Sequence, residues 1–471
     1  MSEIASQAAF AYREDSAATA ALPQRLLNLV LFVTVVTSSI AFIEPSPHDA
    51  LMMLLLLMCV AARVPFDRKI APLVVLLTIW LVGGCLSLIQ VGDQQATIQY
   101  VGTSLYLGLA GIMFACLFCD GNLVRLLILR RAYIIAALIA TAAGYIGFFH
   151  LLPHSDIFLF NDRVSATFKD PNVYGPFLIF PLLLLLIGLM TRGFRFSTFI
   201  IMTVLFGGLL LSFSRGAWAH FAISAAAAVG LLFVTAPDQR MRTRVLLFSI
   251  AALIVMVLFV IALMSIDSIH DLFLERAKAI QPYDVGPGGR FWEQKLALSV
   301  ILDHPNGMGP FEFGRVFGTQ QHDVYMQGFL VYGWIGGAAY LTLVMVTLAV
   351  GFRAVLVPAP WQPYLIAAYA GFVGEAGEGF IVDTDHWRHF FLLLGLIWGL
   401  SAASINLRRH QLQDMLRQDV FQQDVFQQDV FQQDVFQQDV FQQDVFQQDV
   451  FQQDVFQQDV AAAGAQAMTP A

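Results

Sequence analysis

The chain has 471 residues, of which 58% are hydrophobic and only 13% charged, whereas soluble domains run near a quarter charged. That composition excludes a soluble enzyme or binding module of this size. The formal charge of −8 comes from the tail: nine aspartates between 419 and 459 with no Lys or Arg among them leave about +1 for the rest, so neither charge nor any basic patch points to a nucleic-acid partner.

The apolar residues fall in blocks of about 18 to 25, the length a helix needs to cross a ~30 Å hydrocarbon core. In chain order they lie near 26–43, 48–65, 70–91, 99–119, 132–152, 173–190, 196–214, 217–236, 245–266, 324–350, 363–382 and 390–406. The expected fold is therefore an all-α polytopic membrane protein with about twelve transmembrane helices. A polar segment (1–24) precedes a transmembrane domain (25–410) with one larger loop (267–323), and a low-complexity tail (411–471) follows. The first block reads as an anchor, and no cleavable signal peptide is evident.

With a cytoplasmic N-terminus, the inside connections carry Arg63, Arg68 and Lys69; Arg125, Arg130 and Arg131; Arg192 and Arg195; Arg240, Arg242 and Arg244; Arg353; and Arg408 and Arg409. The outside connections 44–47 and 92–98 carry no Lys or Arg. This alternation predicts both ends inside and the intervening loops outside. The outside segments 153–172, 215–216, 267–323 and 383–389 break the trend by containing basic residues, for which pairing with Asp162, Asp170, Asp284 or Glu293 is the structural explanation.

Cys116 and Cys119 form a CxxC inside an apolar block, where small packing residues are a simpler reading than a redox or metal pair. Residues 419–458 are eight identical copies of Asp-Val-Phe-Gln-Gln. On a helix each copy is rotated about 140° from the last, so no apolar stripe forms, and on a strand an odd period alternates faces. The tail is expected to lack a packed core.

Four outside segments carry the chemistry. They are Arg163-Val-Ser-Ala-Thr-Phe-Lys169-Asp-Pro-Asn172; Ser212-Phe-Ser-Arg215-Gly-Ala-Trp218; Gly288-Gly-Arg290-Phe-Trp292 running on to His304-Pro-Asn-Gly-Met-Gly309; and His322-Asp-Val-Tyr325 followed by Tyr332-Gly-Trp-Ile-Gly336. Arg215 lies between two apolar helices at the outer surface. A charge there is costly without a partner, and its planar fork suits a pyrophosphate; snorkelling to lipid headgroups is the structural alternative. His220 lies about one turn deeper and either shares that site or makes a packed polar contact. Arg290 follows a Pro-Gly-Gly turn and opens a helix, a natural anion site. His322 stands where the large loop meets a membrane helix, and imidazole can take a proton from a sugar hydroxyl near neutral pH.

Together these segments resemble the O-antigen ligase and polymerase family of bacterial envelope glycan enzymes. The shared pattern is an Arg-x-Ser-Gly-Thr-Phe-like stretch ending in Asp-Pro-Asn, a Ser-Arg-Gly, an Arg-x-x-Trp, a His-Pro-x-Gly-x-Gly turn and a His-Asn-x-Tyr-Leu segment before a Gly-x-x-Gly helix. All occur in that order over about 160–345. Departures are Ala166 for Gly, Asp323 for Asn and Met326 for Leu; Asp323 is expected to hydrogen-bond or charge-tune His322. The first five spans carry no recognised motif.

The resemblance implies a membrane-embedded, GT-C-like, metal-independent and inverting glycosyltransferase in the cell inner membrane, with no cofactor. It would take a glycan from undecaprenyl pyrophosphate on the periplasmic face and join it to a lipid A-core acceptor or to another glycan. Arg215 and Arg290 would stabilise the pyrophosphate leaving group, and His322 would act on the acceptor hydroxyl. Arg163, Lys169, Asn172, His220 and Tyr325 would bind donor or substrate. Glu375 and Glu378, three residues apart and on one helix face, would line a cavity or satisfy an arginine. Asp383, Asp385, His386, Arg388 and His389 would form a gate or acceptor contact. The competing class is a twelve-helix transporter or lipid-linked glycan flippase, against which stand the absence of a visible half-repeat and the gathering of ionisable residues at the outer surface.

Overall fold

The computed structural model describes residues 22–43, 45–91, 94–266, 270, 273, 286 and 288–418. The five-residue repeat, the first 21 residues and most of 267–287, including Asp284, lie outside the described residues. The chain divides into two compact units, Met1–Ile405 and Asn406–Ala471. The second unit is described only to Gln418, all of it helix.

Among the described residues, the regular structure of the first unit is helical apart from one two-stranded antiparallel hairpin, Leu159–Phe160 with Arg163–Val164. Its first helices are α1 (Leu22–Thr37), α2 (Pro47–Ala61), α3 (Ala71–Val91), α4 (Gln95–Phe118) and α5 (Leu123–Phe148). After the hairpin come α6 (Pro171–Arg192), α7 (Phe196–Leu211), α8 (Arg215–Thr235) and α9 (Gln239–Leu263). Then follow α10 (Arg290–Asp303), α11 (Glu312–Phe317), α12 (Val324–Val355), α13 (Gln362–Glu378) and α14 (Arg388–Gln418).

Helices occupy each of the twelve predicted segments. Among the described residues, seven are long and apolar enough to cross a membrane: α3 with its preceding turn, α4, α6, α8, α9, α12 and α14. The other five differ from these in length or in the charge they carry. α1, α2 and α7 have 16, 15 and 16 residues, about 24 Å of helix against a ~30 Å core. α5 carries three arginines, of which Arg125 is buried and donates to the Leu117 carbonyl at 2.9 Å and to Asp120 at 3.1 Å. α13 has 17 residues and buries two glutamates.

Large aromatic side chains fill the centre, with Trp80 of α3 against Tyr332 of α12 at 4.8 Å and Tyr340 stacked on Phe390 at 6.0 Å. α12 is broken at Gly333, which has φ 69° and ψ −175°. The break removes the helical bond from the Trp334 N–H to the Leu330 carbonyl, and the His304–Gly309 turn replaces both halves. Met308 N donates to Leu330 O at 2.7 Å, and Trp334 N donates to Pro305 O at 2.9 Å. The Trp334 indole adds a bond to Ile301 O at 2.7 Å. Non-helical backbone at this depth survives only when its polar groups find protein partners, and this turn supplies them. Glycine is required on both sides: a Cβ at Gly333 would lie 2.8 Å from Asn306 C, and one at Gly307 would lie 2.8 Å from Gly333 N.

Gly333→Ala is therefore expected to lower stability by roughly 1–3 kcal/mol, from the strained φ and the closed space. Gly230→Ala, where nothing lies within 4 Å of an added Cβ, is expected to be neutral or slightly stabilising. Thermal unfolding of the two purified variants in detergent compares them directly.

Candidate active site

The site forms where the starts of α8 and α12 meet the end of α13. Arg163 leaves the hairpin and crosses to the α7–α8 turn, its Nε donating to Ser212 O at 3.0 Å and its Nη2 to Asn172 Oδ1 at 2.9 Å. The same Asn172 oxygen accepts from Ser214 Oγ at 2.9 Å. Ser214 caps α8, and Arg215 is the next residue. One hydrogen-bonded chain thus fixes three of the predicted residues, Arg163, Asn172 and Arg215, relative to one another. The turns are tight: Ala166 sits at φ 52° and Phe213 at φ 46°, left-handed values that favour glycine. Ala166 is the position at which this sequence departs from the family's usual glycine. Lys169 is exposed nearby.

His220, one turn into α8, is buried and turned away from that surface. Its Nδ1 lies 2.7 Å from Glu378 Oε2 and its Nε2 lies 2.9 Å from Gly371 O. A carbonyl can only accept, so Nε2 carries a proton, and Nδ1 and the carboxyl share a second. The other Glu378 oxygen rests over Gly216, where a Cβ would come within 2.7 Å. Glu375, one turn earlier and fully buried, faces His389 Nε2 at 3.4 Å. The two glutamates thus face histidines, where the sequence suggested either a cavity lining or an arginine partner.

The residue after Glu378 ties in α12, since Gly379 O accepts from Val324 N at 2.8 Å. His322 stands just before, exposed, in a left-handed conformation (φ 51°). Its Nδ1 lies 3.5 Å from Asp383 Oδ2. Asp323 does not tune His322 as expected: its carboxylate caps α12, accepting from Tyr325 N at 2.9 Å and Met326 N at 3.0 Å. Tyr325 donates its hydroxyl to Ala376 O at 2.6 Å and so fastens α12 to α13. Arg290 is the first residue of α10, whose Gln294 amide donates to Phe380 O at 3.0 Å. Glu293, in the same turn as Arg290, is buried and within the electrostatic reach of His322.

Asp383 also opens onto a large cavity, about 1470 Å³. Its apolar wall includes Leu107, Phe114, Tyr133 and Phe177, and its polar rim Lys169, Asp49, Tyr106, Arg388 and His386. Arg388 holds Asp49 with Nη2 2.9 and 3.0 Å from the two carboxylate oxygens. Tyr100 donates to Asp385 at 2.8 Å, and His386 Nδ1 lies 3.2 Å from the same acid. Burial raises the Asp383 carboxyl above its ordinary range and Asp385 adds to this, while His322 and His386 pull it down. For His386, burial opposes the charged form, but Asp385, the Tyr100 carbonyl and Asp383 outweigh it and raise the pKa. The motif-free stretch from the end of α1 through α4, its α1–α2 loop included, supplies most of this cavity's lining, which no sequence motif announced.

Residues 198–341 match the family model described as O-antigen ligase. Over that stretch, less than half of its length, the chain is similar to the O-antigen ligase family. No curated protein matches the chain. The O-antigen ligase segment contains Arg215, His220, Arg290, His322 and Tyr325, whereas Arg163, Lys169 and Asn172 precede it and Glu378 and Asp383 follow it. A segment similar to an O-antigen ligase lies here within a bundle of apolar helices, seven of them among the described residues long and apolar enough to cross a membrane, which marks an integral membrane protein.

Removing the Glu378 side chain strands the His220 nitrogen in the interior. Glu378→Ala is expected to lose about 1–3 kcal/mol relative to the parent, and Glu378→Gln, which keeps a hydrogen-bonding group, distinctly less. Unfolding temperatures in one detergent rank the two variants.

Burial lifts the Asp323 carboxyl to about 6 despite the two backbone N–H groups that favour its charge. Its folded value lies above its unfolded value, so the folded state holds the extra proton between about pH 4 and 6. The resulting stability is full at the acid end and is lost as the pH rises through about 6. Unfolding measured from pH 4 to 7 should show this decline, and Asp323→Asn should flatten it.

Proposed function

We propose that the protein transfers or polymerises a glycan from undecaprenyl pyrophosphate at the periplasmic face of the inner membrane, without a metal and with inversion, as an O-antigen ligase or an O-antigen or exopolysaccharide polymerase. In this reading all twelve helical segments cross the membrane within a transmembrane domain of 25–410. The segment 1–24 and the tail 411–471 lie in the cytoplasm. Alternation of arginines along the chain supports that orientation.

The observation that carries the reading is the placement of His322 against Asp383 at the edge of the large cavity, in a chain whose O-antigen ligase-like segment opens α8 with Arg215, onto whose preceding turn Arg163 reaches. His322 takes the proton of the acceptor hydroxyl, and Asp383 orients the ring and stabilises the imidazolium. The acceptor oxygen bonds to the anomeric carbon as the bond from that carbon to the pyrophosphate oxygen breaks on the opposite face, which inverts the centre. Arg215 and Arg290 neutralise the departing pyrophosphate, with Arg163 and Asn172 holding Arg215 in register and Lys169 at the rim. His220 and Tyr325, expected from the sequence to bind substrate, take supporting roles in this reading: one sets the end of α13 against α8, the other against α12.

The cavity and the glutamates buried in α13 favour a second reading, a transporter of lipid-linked glycan. The two readings separate in cells. Deletion should leave uncapped lipopolysaccharide core with lipid-linked polymer if the protein is a ligase, or single repeat units if it is a polymerase, as seen on gels of extracted glycans. His322→Ala and Arg215→Ala should each fail to restore the parent pattern, with transfer reduced roughly 10²–10⁴-fold. Restoration by both variants would remove the glycosyltransferase reading.

A further inference from the structure

At the far end of α6, about 30 Å of helix from Asn172, a group of arginines gathers without carboxylates. Arg244 of α9 donates from Nη1 to Thr191 O at 3.5 Å. Its other terminal nitrogen occupies the space beside Gly193 (φ 97°), where a Cβ would come within 2.6 Å. Arg130 of α5 is half-buried and lies beside Gly188 of α6, within the repulsive reach of Arg192, Arg131 and Arg195. Among the described residues, none of Arg130, Arg192, Arg195, Arg240 and Arg244 makes an ion pair with an acid. Asp238, the acid nearest in sequence, caps α9 through Met241 N at 2.7 Å.

A preference for positive charge on the inner side accounts for arginines in this loop, but not for a half-buried one set among like charges. The C-terminal carbonyls of α6 offset only about half a charge, so the group needs an anion. Beside Arg244 is a recess of about 440 Å³ lined by Arg240, Thr243, Arg244, Leu247 and Phe248. It continues onto α9, whose Leu246, Leu247, Ile250, Leu253 and Ile254 face outward and whose membrane span is only 6% buried. Positive charge above a continuous apolar strip matches a phosphate with acyl chains attached, rather than a free ion.

We propose that this corner between α5, α6 and α9 is a binding site for an anionic phospholipid. The phosphate lies between Arg240 and Arg244 in that recess, and an acyl chain runs along α9. The site is separate from the glycan-transfer reading and stands or falls without it.

The full-length protein in detergent, titrated with phosphatidylglycerol, phosphatidylcholine or inorganic phosphate, tests this by unfolding temperature and by native mass spectrometry of retained lipid. Phosphatidylglycerol should be retained at low stoichiometry and raise the unfolding temperature, while phosphatidylcholine at equal mole fraction does neither. Arg240→Gln and Arg244→Gln should each weaken retention about fivefold, and Arg242→Gln, which does not line the recess and whose guanidinium lies over Phe233, should not. Equal effects of the two lipids on the wild-type protein would overturn the proposal, whatever the variants do. So would reproduction of the stabilisation by inorganic phosphate, or unchanged retention in well-folded Arg240→Gln and Arg244→Gln proteins.

Discussion

The last turn of α13 joins the two helix starts on which the site depends. The Glu378 carboxyl presses on the first turn of α8 through His220 and Gly216, and the neighbouring Gly379 carbonyl accepts the first backbone N–H of α12. A shift of that turn would move Arg215 and His322 together. Two side chains that face the protein interior rather than any ligand thereby determine where the outward-facing ones stand. The arrangement resembles the way a metal ligand is oriented by partners behind it, with a buried carboxyl and imidazole in place of a shell around an ion.

A second constraint is the break in α12. In a hydrocarbon environment a helix can be interrupted only where other backbone takes over its hydrogen bonds, and the His304–Gly309 turn does so bond for bond at Leu330 and Trp334. The loop and the membrane helix are consequently one unit, and α10, which begins with Arg290, is docked on it through the small apolar cluster of Ala297, Val300, Ile301, Phe313 and Leu330. The exposed, left-handed His322 stands between these fixed parts, as strained residues at functional sites often do.

Much of this was legible in the sequence, for identifiable reasons. Long apolar blocks report helices because backbone polar groups in lipid have no alternative partner, and the helices fall on all twelve blocks. Arg163, Asn172 and Arg215 lie in short motifs whose turns demand particular residues, and the hydrogen bonds through Ser214 bring them together. Asp323 misled because adjacency to His322 suggested a pair, whereas an aspartate before a helix start has two backbone N–H groups within easier reach. Its role fell to Asp383, sixty residues later and brought near by the fold alone. The cavity was illegible for a different reason: apolar wall residues on α1, α2 and α4 look the same in sequence whether they face lipid, a neighbouring helix or a ligand.

The central claim is that His322, oriented by Asp383, removes the acceptor proton while the arginines take the charge of a departing lipid pyrophosphate. It is tested most directly by single-turnover reactions of the purified protein in phospholipid vesicles with a radiolabelled lipid-pyrophosphate glycan and an acceptor. Glycan transfer and polyprenyl pyrophosphate release are measured across pH for the parent, His322→Gln and Asp383→Asn. The account predicts that release and transfer occur in step in the parent, are both lost in His322→Gln, and are reduced in Asp383→Asn with a displaced pH profile. Parent-like transfer by His322→Gln, or a parent that moves the lipid-linked glycan across the bilayer without releasing pyrophosphate, would contradict it.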